Sequence, residues 1–80
     1  MIPKRLPNLC AAAVRTAWQV SITHNGTTWN ATFTKHGPHR TNTVWLLWHE
    51  GVLRESRIND HPTPYTQCTR LIRSPEGATS

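Results

Sequence analysis

Trp18-Gln19-Val20-Ser21-Ile22-Thr23-His24-Asn25-Gly26-Thr27-Thr28-Trp29-Asn30-Ala31-Thr32-Phe33-Thr34 decides the fold. On either side of Asn25-Gly26 apolar residues recur at every second position, the period of a strand with one buried face. Asn-Gly is the strongest short hairpin signal, because both central residues of a type I′ turn need positive φ. A two-residue loop at Asn25-Gly26 pairs His24 with Thr27, Ile22 with Trp29, Val20 with Ala31 and Trp18 with Phe33. The apolar side chains then share one face, and Gln, Ser, Thr and Asn share the other.

Downstream, Lys35 to Asn42 contains Gly37-Pro38 and reads as a loop carrying His36, His39 and Arg40. Val44 to Trp48 is the longest run of large apolar residues, bounded by Asn42 and by Glu50-Gly51. It fits a strand over Thr43 to Trp48 buried on both faces; the alternative is a short helix ended by Gly51 at C′. Val52 to Ile58 returns as a more polar strand, Asn59 to Pro64 is a loop, and Tyr65 to Ile72 reads as a last strand with Cys68 and Ile72 on one side. Upstream, residues 1–8 hold Pro3 and Pro7 and read as an irregular lead-in. Asn8 stands as N-cap of a short helix over Leu9 to Thr16, with three consecutive Ala. Residues 74–80 read as a loose tail. The expected fold class is therefore mainly β (α+β). It has a short N-terminal helix followed by a five-stranded antiparallel, strongly bent sheet or a small SH3/Sm-like barrel, in one domain spanning 1–80 with its core in 9–73.

Eighty residues leave room for one core, and so short a chain buries only about 60% of its unfolded surface. Oligomerisation would add to that thin margin. Four Trp give more buried area per residue than aliphatics would. Nine Lys and Arg against four Asp and Glu give a net charge of +5, and seven of the nine are Arg. Such a surplus favours anionic partners, and guanidinium engages both oxygens of a phosphate or carboxylate. No apolar run is long enough to span a membrane, and the N-terminus lacks the apolar core of a signal peptide, so a cytoplasmic location and no membrane partner are expected. Cys10 and Cys68 then stay as free thiols.

The element order is also that of Sm-like small barrels, including Hfq-type RNA chaperones and Rof-type termination inhibitors. Val20-Ser21-Ile22-Thr23-His24-Asn25-Gly26 resembles that family's first strand and turn. Asn42-Thr43-Val44-Trp45-Leu46-Leu47 resembles its third strand, and Leu71-Ile72-Arg73 its apolar pair followed by Arg. The chain departs from the family at Asn30-Ala31, where Gly is common, and lacks the family's aspartate in residues 35–40. The resemblance implies a base stacked between His39 or Arg40 and Arg73, with Asn42 reading the base edge.

Those residue types suit single-stranded RNA, since imidazole and guanidinium planes stack on bases. Arg54 and Arg57 are further candidates for phosphate, although beside Glu50 and Glu55 they equally suit surface ion pairs. His36-x-x-His39 with Cys10, Cys68 and His61 offers metal-ligand types without a metal-site motif, so no metal and no cofactor are expected. No acid–base pair, nucleophile elbow or phosphate loop is present, and no catalytic residue is assigned. The expected role is a basic, non-enzymatic binding module. Its nucleic-acid-binding residues would be His39, Arg40, Asn42, Arg54, Arg57 and Arg73, with RNA favoured and homo-oligomerisation open. Two alternatives stand beside it. One is a small inhibitor or adaptor that meets an acidic protein surface, phage- or plasmid-type in character. The other is an excisionase-like winged-helix DNA binder that uses Thr43 to Glu50 as recognition helix.

Overall fold

A computed structural model describes residues 2–74. Five strands form one antiparallel sheet in sequence order, and two helices pack on one of its faces. The expected α+β class is present, and the sheet stays open. Helix α1 is Leu6–Arg15, then come β1 (Gln19–Asn25), β2 (Thr28–His36), β3 (Thr41–His49), β4 (Val52–Ile58) and β5 (His61–Pro62), and α2 (Tyr65–Arg73) closes the chain.

α1 starts at Leu6, earlier than the expected Leu9, with Arg5 and not Asn8 at the N-cap. Pro7 belongs to its first turn, where a missing N–H costs nothing. The helix ends in a Schellman arrangement: Trp18 N–H donates to the Ala13 carbonyl (2.9 Å) and Ala17 N–H to that of Val14 (3.2 Å), with Ala17 at φ 66°. That reversal drops Trp18 into the core directly before β1.

The first hairpin forms where the alternation places it, but in a register shifted by two residues. Asn25 pairs with Thr28, Ile22 with Ala31 and Val20 with Phe33. The central turn residues are Gly26 and Thr27; only Gly26 has positive φ (61°), the type II′ pattern, so the expected Asn25-Gly26 type I′ turn is corrected. A shift of two keeps every side chain on its face. It releases Trp18 to cap α1 and brings His24 opposite Trp29, ring centroids 4.1 Å apart and stacked. The later reversals are the type I′ turns: Glu50-Gly51 (φ 53° and 78°) joins β3 to β4, and Asn59-Asp60 (φ 51° and 66°) joins β4 to β5.

β3 is a strand, which removes the helix expected by the winged-helix alternative. It is buried on one face only: Asn42, Val44, Leu46 and Trp48 are buried, whereas Thr43, Trp45 and Leu47 are half-buried on the other. The expectation of burial on both faces is corrected, because both helices lie on one side. The core is Leu6, Leu9 and Ala13 of α1, Cys68 and Ile72 of α2, and Ala31, Phe33, Val44, Leu46 and Trp48 of the sheet, with Trp18 at its end. The helices also meet each other, tied where the Thr16 hydroxyl donates to the Ile72 carbonyl (2.6 Å) at the end of α2.

The largest correction concerns Tyr65 to Ile72, expected as a strand and found as α2. Cys68 and Ile72 are four apart, a spacing that puts them on one side of a strand and equally on one face of a helix. Pro64 just ahead and Arg70 and Arg73 in the last turn favour the helix, the cations lying at the negative end of its dipole. The fifth strand is instead His61–Pro62, inside the expected loop.

Candidate phosphate-binding groove on the helix layer

The placement of charge is the clearest functional feature. Residues 2–49 contain no Asp or Glu, and the described acids, Glu50, Glu55 and Asp60, lie on β4 or in the turns flanking it. The helices and their lead-in carry Lys4, Arg5, Arg15, Arg70 and Arg73. The sheet therefore has ions of both signs, and the helix layer only cations.

Two of those cations converge. Tyr65, Thr69 and Arg73 stand at i, i+4 and i+8 on α2 and so form one stripe. That stripe faces Arg5 and Asn8 at the start of α1 across a groove of about 300 Å³. Among the described residues no carboxylate lies within ion-pair distance of Arg5 or Arg73. Burial pushes the Tyr65 phenol above its ordinary value against the pull of Arg5 and Arg73, so the hydroxyl stays a neutral donor. The N-terminus of α1 opens beside Arg5 with no side-chain cap and no acid in its first turn. Positive charge beside the positive end of a helix dipole is unfavourable until an anion joins it. The groove thus offers two guanidiniums, a phenol, a hydroxyl and a carboxamide, the set that phosphate and ribose oxygens use.

The six residues singled out from the sequence do not form one site. Arg73 belongs to the groove just described. Arg54 and Arg57 share a different, shallow depression with Ser56, Pro62 and Thr63 at the β4–β5 edge. There Arg57 donates to Glu55 (3.1 Å) and lies over the Trp45 ring (5.9 Å to the centroid). Arg54 is the additional residue of a β-bulge, where the β3–β4 register shifts between Leu47 and Trp48. His39 and Arg40 are exposed in the β2–β3 loop. Asn42 is only 5% exposed, and its carbonyl oxygen accepts from the Asn59 carboxamide (3.1 Å), so it faces the core and not a ligand. Arg5, Asn8, Tyr65 and Thr69 were missed from the sequence because residues 1–8 read as an irregular lead-in and Tyr65 to Ile72 as a strand, so nothing set the two segments side by side as a helix pair. The usable signal was the absence of acids from the first half of the chain.

The uncovered face of the sheet carries Trp45 and Leu47, half-buried among Asn30, Thr32, Glu55 and Arg57. A larger cleft of about 680 Å³ lies at the end of the molecule where Pro3, Trp48, Gly51 and Tyr65 meet. Both cysteines are free, and burial raises their thiol pKa values, Cys68 also donating to the Thr63 carbonyl (3.8 Å). Among the described residues no three His, Cys, Asp or Glu side chains gather, and no helix is long and apolar enough to cross a membrane. Comparison with protein-family models, with curated proteins and with solved structures finds no match.

Proposed function

We propose that the protein is a non-enzymatic nucleic-acid-binding module that holds phosphates on its helix layer, with single-stranded RNA as the favoured partner. The observation that carries this reading is the groove in which Arg5 and Arg73 converge with Asn8, Thr69 and Tyr65, with no acid among the described residues that line it. Two bidentate donors beside neutral donors and acceptors suit a sugar–phosphate backbone, and the ribose hydroxyl is what Asn and Thr can engage in RNA and not in DNA. This keeps the RNA-binding role that the Sm-like resemblance implies and moves it to other residues, Arg73 excepted.

Fluorescence anisotropy of labelled single-stranded RNA across a salt series tests it. Binding should weaken steeply with salt, and the double variant Arg5→Ala, Arg73→Ala should lower the log–log slope by about 1.4, two phosphates at about 0.7 each. Binding that ignores salt, or that ignores the double variant, overturns the reading. Same-length duplex DNA should bind more weakly.

One observation favours a second reading, a protein-binding adaptor. Trp45 and Leu47 stay on a sheet face that no helix covers among the described residues, and Trp and Arg are among the residue types most enriched at binding hot spots. The parent separates the two, since an adaptor binds no single-stranded RNA even at low salt; Trp45→Ala then locates the RNA, leaving its affinity unchanged if phosphates sit on the helix layer. If it abolishes RNA binding while the Arg5, Arg73 variant does not, the nucleic acid lies on the sheet.

A further inference from the structure

Among the described residues β1 is an edge strand, hydrogen-bonded to β2 alone, and six of its seven residues are exposed. Proteins blunt such edges with charge, proline or brevity, because an unpaired edge recruits another strand. The opposite edge follows that rule, since β5 has two residues and ends in Pro62. β1 does not. Gln19-Val20-Ser21-Ile22-Thr23-His24-Asn25 contains no Pro, Gly, Lys, Arg, Asp or Glu, and none of the four charged types occurs between Arg15 and Lys35.

We propose that β1 pairs antiparallel with β1 of a second copy of this chain, joining the two sheets into one continuous sheet across a two-fold axis at Ile22. Three observations select this occupant. The first is charge. A molecule of net charge +5 repels its own copy over most of its surface, and beside a two-fold axis any charged residue meets itself. The β1 edge is the charge-free exception.

The second is hydrogen-bond parity. Asn25 and Thr28 close a two-residue turn, so bonding to β2 alternates back along β1 and leaves the backbone N–H and C=O of Val20, Ile22 and His24 pointing outward. Centring on Ile22 pairs Ile22 with Ile22 and Val20 with His24, so all three outward residues bond to outward residues. Centring on Ser21 or Thr23 would engage only two of the three outward residues of β1, and an axis between residues would set outward groups against inward ones and form no ladder. The third is the fit of the faces. On the open side Gln19 meets Asn25 and Ser21 meets Thr23, neutral hydrogen-bonding pairs. On the helix side Ile22 (37% exposed) meets its copy, next to the α1 that carries Val14 (68% exposed). Burial of these side chains adds apolar area that an 80-residue core lacks.

Sedimentation equilibrium of the full chain tests this, with Ile22→Lys, Ile22→Pro and the control Val52→Lys. The parent should approach twice its 9.1 kDa at sub-millimolar protein, more readily as salt screens the net charge. RNA binding moves the opposite way with salt, so failure of one proposal is distinguishable from failure of the other. Ile22→Lys places like charges on the axis. Ile22→Pro removes an outward N–H and leaves the β1–β2 ladder whole. Both should sediment as single chains with the parent's near-ultraviolet circular dichroism, while Val52→Lys, which adds the same charge at a more exposed position, stays dimeric. Should the Ile22 variants fail to fold, amide exchange in the parent decides, since Val20, Ile22 and His24 are protected only if the edge is paired. A parent of single-chain mass in high salt, a dimer that survives both Ile22 variants, or edge amides protected only after single-stranded RNA is added would each overturn the proposal.

Discussion

Asn42 shows how far a single residue can be read without its neighbours. Its sequence position, opening an apolar run, is legible, and so is its parity with Val44, Leu46 and Trp48. What is not legible is its partner. Asn59 lies seventeen positions away in a left-handed turn (φ 51°). From there its carboxamide donates to Asn42 and accepts the Thr43 N–H (2.8 Å), while its own N–H donates to the Thr43 carbonyl (2.8 Å). A polar side chain at the head of a buried row is stable only with such a partner. The base-edge role expected of Asn42 therefore gives way to a structural one. Asn42→Ala should cost about 0.5–1.5 kcal/mol, measured as the urea midpoint at unchanged slope, because it removes a hydrogen bond made by a buried side chain while the exposed Asn59 amide can turn to water. Affinity for single-stranded RNA should stay at the parent value. Lost affinity at full stability would return Asn42 to the binding site.

At the scale of elements, periodicity fails where one spacing satisfies two periods and succeeds where it satisfies one. Val20 and Ile22, with Trp29, Ala31 and Phe33, obey only a period of two, and the hairpin forms with its faces as read. Its register moves because Gly26, and not Asn25, takes the first positive-φ position. Cys68 and Ile72 obey both periods, and there the strand reading gives way to α2. The β3–β4 turn was legible in Glu50-Gly51 only as a boundary. It is a type I′ turn whose first central residue, at φ 53°, holds a side chain in a conformation that costs an ordinary L residue about 1–2 kcal/mol. Asn tolerates that conformation, so Glu50→Asn creates the favoured Asn-Gly pair. The lost contact with His49 (3.5 Å) is exposed and contributes little. The variant should be more stable by about 0.5–1 kcal/mol, read from the thermal and urea midpoints. A fall in stability would mean that Glu50 has a favourable role at the adjoining cleft that outweighs the strain.

On the scale of the whole molecule, the sequence showed a surplus of cations but not where they gather, because that depends on which residues the two helices bring onto one side. The structure separates a helix layer that bears only positive charge from a sheet that mixes signs, and net charge alone cannot distinguish a footprint on the first from a diffuse attraction to both. Two double variants can. Arg70→Glu with Arg73→Glu, and Arg40→Glu with Arg54→Glu, each replace two exposed arginines and so make the same change in net charge. If long-range attraction governed binding, the two would weaken RNA affinity alike. If phosphates lie along the helices, the first pair should lose on the order of a hundredfold at low salt, about 1–2 kcal/mol for each direct contact reversed. The second pair should lose less than tenfold, the share carried by the distant field. The difference should shrink as salt rises, because the variant that keeps its helix-layer phosphate contacts has the steeper salt dependence and loses that advantage as counterion release is worth less. Anisotropy titrations of both proteins at two salt concentrations measure it, and equal losses would place the nucleic acid away from the helix layer.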